Sequence, residues 1–386
     1  MIDWLLDPEI DNLNHGGFGA VPRVVLEEQR RWQEAAERNP TGFLGRSLEE
    51  ELDRARRVLA AFVGADPAGL VFVPNATTGV NAVVRSLPLR PGDEILTTDH
   101  VYNACRNVLD FVAGRNGARA VVVPVPFPLE SADEVVGAVT AAVTDRTVLA
   151  LLDHVTSPTG LILPVERLVP VLEGAGIPVL VDGAHAPGML PLQIDALGAS
   201  YYTGNCHKWV CAPRGAALLA VREDRREGLV PVSLSHGWND PRPDRPRFHK
   251  LFDWTGTEDP SARLAVPAAL RCLGAAVDGG WPGLMARNHG LAVEAQAILC
   301  RALGVPPPAP EAMIGSLAAV PLPPGHGEPP SGLTDPLAGR LLAEHRIEVP
   351  VFVWPAWPGR VIRVSAQLYN HRAQYERLAE ALVAML

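Results

Sequence analysis

The sequence predicts an α/β protein with a mainly parallel central sheet covered by helices, followed by a smaller α+β domain. Three observations lead there. Short apolar runs recur without polar alternation: LVFV at 70–73, VLALL at 148–152 and PVLV at 178–181. Such runs belong to strands buried on both faces. Stretches of helical period separate them, as βαβ units require. At 386 residues the chain also exceeds one ordinary core, so two domains are expected.

Taken in order, Leu13–Pro22 (LNHGGFGAVP) reads as a glycine-rich loop able to approach another surface closely. A charged amphipathic helix is expected over Arg23–Arg38, broken by Asn39-Pro40. Ser47 then opens S-L-E-E, a capping box in which Glu50 reaches back to the Ser47 amide, and a helix running to Val63. Strands are expected at Leu70–Val73, Glu94–Thr98, Ala118–Val125, Val148–Leu152, Pro178–Val181, Ala199–Thr203 and Ala216–Val221. Helices are expected at Val80–Arg85, Tyr102–Ala113, Val135–Val143 and Val165–Glu173. After Trp254 the character changes. Pro260–Gly280 and Pro282–Leu303 read as helical, and Gly304–Gly332 is rich in proline and glycine around a candidate strand at Met313–Val320. A strand near Arg360–Ser365 and a helix from His371 onward complete the chain. The expected division is 18–259 for the large domain and 260–386 for the small one, with residues 1–17 packing near the site.

Composition narrows the function. Hydrophobic residues make up 47% and charged residues 20%, as in globular proteins, and the net charge of −9 argues against nucleic acid and anionic membrane as partners. The first residues, MIDWLLDPEID, carry acids where a signal peptide carries bases, and no run approaches the length of a membrane helix. Five scattered cysteines fit reduced thiols in a cytoplasmic protein, and Cys206 and Cys211 lack the spacing of a zinc site, so no metal is expected.

The chemistry centres on YYTGNCHKWVCAPRG, residues 201–215, where Lys208 follows a strand and is flanked by an imidazole and an indole. A desolvated lysine loses proton affinity and becomes a usable amine nucleophile, the requirement for a Schiff base with an aldehyde cofactor. Taken alone, an HK pair after a strand is usually a surface lysine. The other strand ends change that reading. Asn75–Gly79 places hydroxyls and free amides at a helix start, which favours an anion, although NATTG is also a common helix cap. Asp182 follows PVLV directly and could bond a protonated ring nitrogen or simply cap the next turn, and His185 lies three residues on. In an open α/β sheet, groups at the carboxyl ends of the strands share one crevice.

The ordered segments NHGGFGAVP, NATTG, DHVYNA, DHVTSPTG, VDGAHAPG, GNCHKW, DWTGTEDPS and RVSAQLYN resemble the aminotransferase class V family of fold-type I pyridoxal phosphate (PLP) enzymes, in its isopenicillin N epimerase-like branch. The resemblance implies a homodimer with shared sites and PLP held on Lys208. It places Asp182 at the pyridine nitrogen and His185 near the phenolic oxygen. Thr77, Thr78, Asn205 and His207 would bind the phosphate, with Thr257 reaching it from the neighbouring subunit. Tyr102 matches the ring that stacks on the cofactor, with His100 as the fallback, and either is a candidate to relay a proton. Arg363 matches the arginine that grips the substrate carboxylate. Ser157 stands where relatives often carry asparagine. Asn14, His15 and Arg46 are further candidates for substrate recognition. The implied activity is an amino-acid epimerase or racemase, with a C–S lyase or an aminotransferase as alternatives, and a binding module without catalysis as a different class. No cysteine follows Cys300, so persulfide chemistry of the cysteine desulfurase type is not expected.

Overall fold

The computed structural model describes residues 2–332 and 335–386. The chain first forms α1 (Arg23–Arg38), α2 (Leu48–Val63), β1 (Leu70–Val73), α3 (Ala76–Arg85), β2 (Glu94–Thr98), α4 (Asn103–Arg115), β3 (Arg119–Val123) and α5 (Ala132–Ala141). These are followed by β4 (Thr147–Asp153), α6 (Val165–Gly174), β5 (Val179–Asp182), β6 (Tyr201–Asn205) and β7 (Ala217–Val221). The seven strands make one sheet in the order β1-β7-β6-β5-β4-β2-β3. β3, β2, β4, β5 and β6 pair in parallel, while β7 runs antiparallel to β6 and β1.

The uniform apolarity of the strands has a direct structural meaning. Successive side chains point to opposite faces, so Leu70, Phe72, Val179 and Val181 join one core with α1, α2, α5 and α6. Val71, Val73, Leu149 and Leu180 join a second core with α3 and α4. Both faces are covered, and the carboxyl ends of β4, β5 and β6 open toward one side.

Later in the chain come α7 (Val266–Gly274), α8 (Gly280–Leu303), β8 (Leu317–Pro321), α9 (Pro336–His345), β9 (Val351–Val353), β10 (Arg360–Ser365) and α10 (Arg372–Met385). β9, β10 and β8 form a three-stranded antiparallel sheet packed against α8 and α10, with Leu299, Val320, Ile362, Val364 and Leu382 in its core. α7 does not belong to that core. Val266, Ala269 and Leu270 pack into the first core, whereas the core under the three-stranded sheet takes Ala292 and later residues of α8 together with Leu13.

Several local expectations are corrected. Ser47 has helical backbone angles and no capping bond, because Phe43–Ser47 winds continuously into α2 and the amide of Leu48 already bonds the carbonyl of Phe43. Glu50 pairs with Arg54 instead. A capping box does form at α5, between Ser131 and Glu134. The turn Asn75–Gly79 is itself helical: Asn75 Oδ1 accepts from the Thr78 amide at 2.9 Å, so α3 starts at Ala76. Within the expected loop Leu13–Pro22, His15–Phe18 forms a helical turn.

Candidate active site

A cavity of about 370 Å³ opens at the carboxyl ends of β4, β5 and β6, within the range of small-molecule sites. Its wall includes Thr77, Tyr102, Ser157, Asp182, His185, Asn205, His207 and Lys208, all anticipated from sequence. Strand geometry explains the convergence. Asp182 and Asn205 are the last residues of adjacent parallel strands, Thr77 lies in the first turn of α3, and His207 and Lys208 follow β6 directly.

Lys208 is the centre of the site. Its Nζ lies 3.0 Å from His185 Nε2, and the residue lines the cavity. Burial, followed by the charge of Arg363, pulls its amine down from 10.5 to about 7. Near neutral pH much of the lysine is therefore free base, the nucleophilic form. His185 is 1% exposed and held neutral, first by burial and then by the positive charge of Lys208. Trp209 Nε1–H donates to His185 Nδ1 at 3.4 Å.

Asp182 is 3% exposed. Its Oδ1 accepts from the Ala184 amide at 2.9 Å and its Oδ2 from the Cys105 thiol at 3.2 Å. Burial raises its proton affinity, while those two donors and Lys208 favour the charged form. At the other end, Asn205 Oδ1 accepts from the Ala76 amide at 2.9 Å, tying β6 to the start of α3. His207 is kept neutral by burial, at about 4.

Arg363 projects from β10 and is 2% exposed. Nη1 donates to the Ser157 carbonyl, and the guanidinium carbon lies 5.0 Å from the centre of the Phe352 ring. Its Nε is buried without a partner. The edge that Ser157 does not engage is Nε and Nη2, two parallel donors that match a carboxylate, and Arg363 adjoins the cavity through Ser157 rather than lining it. Burial lowers Arg363 to about 10, so it remains charged near neutrality.

Other anticipated residues lie elsewhere. His15 sits behind the lysine, with Nε2 at 3.0 Å from the Lys208 carbonyl and Nδ1 at 2.9 Å from Tyr369 Oη. It is 1% exposed, which leaves no surface for a substrate. The Asn14 side chain stands against Gly17 rather than in the cavity wall. Both His100 nitrogens are engaged, by Thr159 Oγ1 at 2.7 Å and the Val125 carbonyl at 3.0 Å, and the ring is 0% exposed. Thr78 and Thr257 line a neighbouring pocket, where Thr257 is exposed. Arg46 lines a third pocket, with Arg242 and Lys250. Conversely, Asp153, Arg214 and Phe18 line the cavity without having been anticipated, and Gly17 joins them from the segment expected to pack near the site. Asp153 had a readable signal: it ends an apolar strand just as Asp182 does.

The donor set fits pyridoxal phosphate. Lys208 is an amine of low proton affinity, suited to an aldehyde, and Asp182 is a carboxylate at a strand end. The buried, unpartnered Nδ1 of His207 beside the start of α3 suits a phosphate oxygen. Among the described residues no helix is long and apolar enough to cross a membrane.

Comparison with known proteins agrees. The family profile "Aminotransferase class-V" matches residues 19–251. Isopenicillin N epimerase of Amycolatopsis lactamdurans is 38% identical, over 98% of this chain and 95% of the relative. The probable chloroplastic L-cysteine desulfhydrase of Arabidopsis thaliana is 30% identical, over 97% of this chain and 83% of its own length. Among solved structures, the cystine C–S lyase C-DES in complex with cysteine persulfide aligns with a TM-score of 0.79 at 22% identity, covering 97% of this chain and 98% of that one. Relatives of two different activities thus align over nearly the whole length, and what unites them is the family: the chain belongs to aminotransferase class V.

Proposed function

We propose that this protein is a PLP-dependent enzyme acting at Cα of an amino acid, and that it is an epimerase or racemase of the isopenicillin N epimerase type. The observation that carries the reading is the meeting of Lys208 and Asp182 in one cavity, with Arg363 bonded to Ser157 of its wall and its charge acting on Lys208. When bound, PLP supplies an electron sink that makes the Cα proton of an attached amino acid removable. The chain's own residues do the rest. Asp182 would hold the ring nitrogen, His185 would lie beside the phenolic oxygen, and Thr77, Asn205 and His207 would bind the phosphate. Arg363 binds the substrate carboxylate through Nε and Nη2. That grip orients the Cα–H bond toward Lys208, which takes the proton as general base.

Inversion requires a second group that handles a proton. Tyr102 lines the cavity and is 45% exposed, so it is accessible to a bound substrate. His100 is unsuited to that role because both its nitrogens are committed. The family resemblance carries the preference for epimerisation, and 38% identity to an isopenicillin N epimerase supports it. A C–S lyase is the second reading, supported by the desulfhydrase relatives. A protein persulfide has little support under either reading. Cys105 and Cys206 are buried, and burial pushes the Cys206 thiol up to about 12.

We also propose a homodimer with shared sites. Thr257 and Arg46 lie outside the cavity of their own protomer, which supports a reading in which they act at the partner's site.

The test is incubation with candidate amino acids in deuterated water. Deuterium at Cα with inversion supports epimerisation, and loss of inversion with retained exchange in Tyr102→Phe supports Tyr102 as the second group. Release of pyruvate and a thiol would replace the epimerase reading with a lyase.

A further inference from the structure

Asp153 is a second carboxyl group in the wall of the cavity. It ends β4, and Asp153 and Asp182 are register partners in the parallel pair β4–β5. Register partners in a sheet stand side by side and point to the same face. Both are 3% exposed. Two adjacent buried carboxyl groups do not both ionise without a compensating cation. Their surroundings decide which one keeps the proton. Asp182 receives donors on both oxygens, from the Ala184 amide and the Cys105 thiol. Asp153 Oδ2 is buried and has no partner.

We propose that Asp153 is the proton-carrying partner of Asp182: in the unloaded site the pair holds one proton, on Asp153, and one negative charge, on Asp182, and Asp153 ionises when a protonated pyridine nitrogen sits against Asp182. The inference rests on the reading that PLP occupies this cavity with its ring nitrogen toward Asp182. In the step the O–H bond of Asp153 breaks and the proton leaves to water. Two carboxylates then face one pyridinium, so the charge at this end is one negative unit before and after loading. Asp153 is a positioning residue here. It keeps the unloaded cavity from holding two anions and supplies the second anion once a cation needs it.

The groups facing Asp153 agree with this assignment. Burial raises its proton affinity well above the ordinary range, and the charge of Asp182 raises it further. The main-chain amide of Tyr102 and the amine of Lys208 oppose that rise without reversing it, and the Cys105 thiol, kept protonated by burial, adds no charge.

The readout is the infrared carbonyl stretch of a protonated carboxylic acid, which is separate from the bands of carboxylates and amides. Cofactor-free wild-type protein at neutral pH should show one such band that Asp153→Asn abolishes and that disappears when PLP is added. In Asp182→Asn, where the neighbouring charge is gone, the band should vanish at a lower pH than in wild type. Absence of the band from the unloaded wild type, its survival in Asp153→Asn, or its persistence after PLP loading would each overturn the proposal. If Asp153→Asn does not fold, a pH titration of wild-type protein carrying ¹³C-labelled aspartate carboxyls separates the same outcomes. Failure to bind PLP would appear separately, as absent cofactor absorbance, and would overturn the release step together with the cofactor reading. The band in the unloaded protein tests the carboxyl pair by itself.

Discussion

Lys208 shows how one residue's surroundings set both its chemistry and its cost to the fold. Its folded value is about 7 against an ordinary 10.5. Between those values the unfolded amine is protonated and the folded amine is not, so the unfolded chain binds more protons. Stability of the cofactor-free protein should therefore rise with pH across that window, and below about 7 the penalty of the buried charge is fully present. Lys208→Met should remove this slope, as read from urea unfolding midpoints at a series of pH values. An unchanged slope would assign it to other groups. At Arg363 the geometry of the donors matters more than the charge. Arg363→Lys keeps the charge but not the Nε/Nη2 edge, so kcat/KM should fall roughly a hundredfold, about 3 kcal/mol for lost charge-assisted bonds. Near-normal kinetics with lowered thermal stability would instead make Arg363 a structural partner of Ser157. Legibility at this scale followed local context. Lys208, Asp182 and His185 announced themselves through strand-end motifs. Asp153 ends an apolar strand just as Asp182 does, but its pairing with Asp182 appears only when the two strands lie side by side.

Among the elements, the N-terminal segment has the least conspicuous sequence and a central position. Gly19 has φ of +73°, and a Cβ there would lie 1.9 Å from the His207 carbonyl oxygen. The segment therefore passes against the backbone that carries Lys208. Gly19→Ala should shift that backbone, at a cost of about 1–3 kcal/mol in stability, and should speed PLP release. Gly45→Ala is the control, because a Cβ at Gly45 meets nothing within 4 Å. Equal effects in the two variants would refute the close-approach argument. The glycines of LNHGGFGAVP marked this contact in advance, although not which surface it met. Strands and helices of the large domain were readable because burial on both faces leaves uninterrupted apolar runs. The Ser47 capping box was not, since S-x-x-E gives no sign that the preceding turn continues into the helix. α7 reads as the start of the small domain because its apolar face does not specify which core it joins.

For the whole molecule, the shared-site proposal makes a prediction that a monomeric site does not. Protomers carrying Lys208→Ala and protomers carrying Thr257→Ala should each have low activity alone. A mixed dimer should contain one complete site, with Lys208 from one chain and Thr257 from the other. Activity should therefore reappear when the two are unfolded together and refolded. No recovery, with mixed dimers verified by mass spectrometry, would place Thr257 outside the shared site. Thr257→Ala alone should weaken PLP retention by about 1.5–3 kcal/mol. Cross-subunit roles are hard to read in one chain, because the fold that buries Lys208 leaves Thr257 and Arg46 on its surface.

The stitching of the N-terminal segment also has a consequence in time. His15 bonds Tyr369 across 354 positions of sequence, and the Ser365 amide bonds the Leu13 carbonyl. A ribosome makes these early residues long before their partners exist. The large sheet can form first, while the bonds of Leu13 and His15 to Ser365 and Tyr369 form only as the last part of the chain emerges. During synthesis, His15 can therefore reach the Lys208 carbonyl well before Tyr369 can fix its ring. The nascent chain should become competent to retain PLP only after about 370 residues have left the exit tunnel, a threshold that stalled ribosome complexes of graded length would reveal.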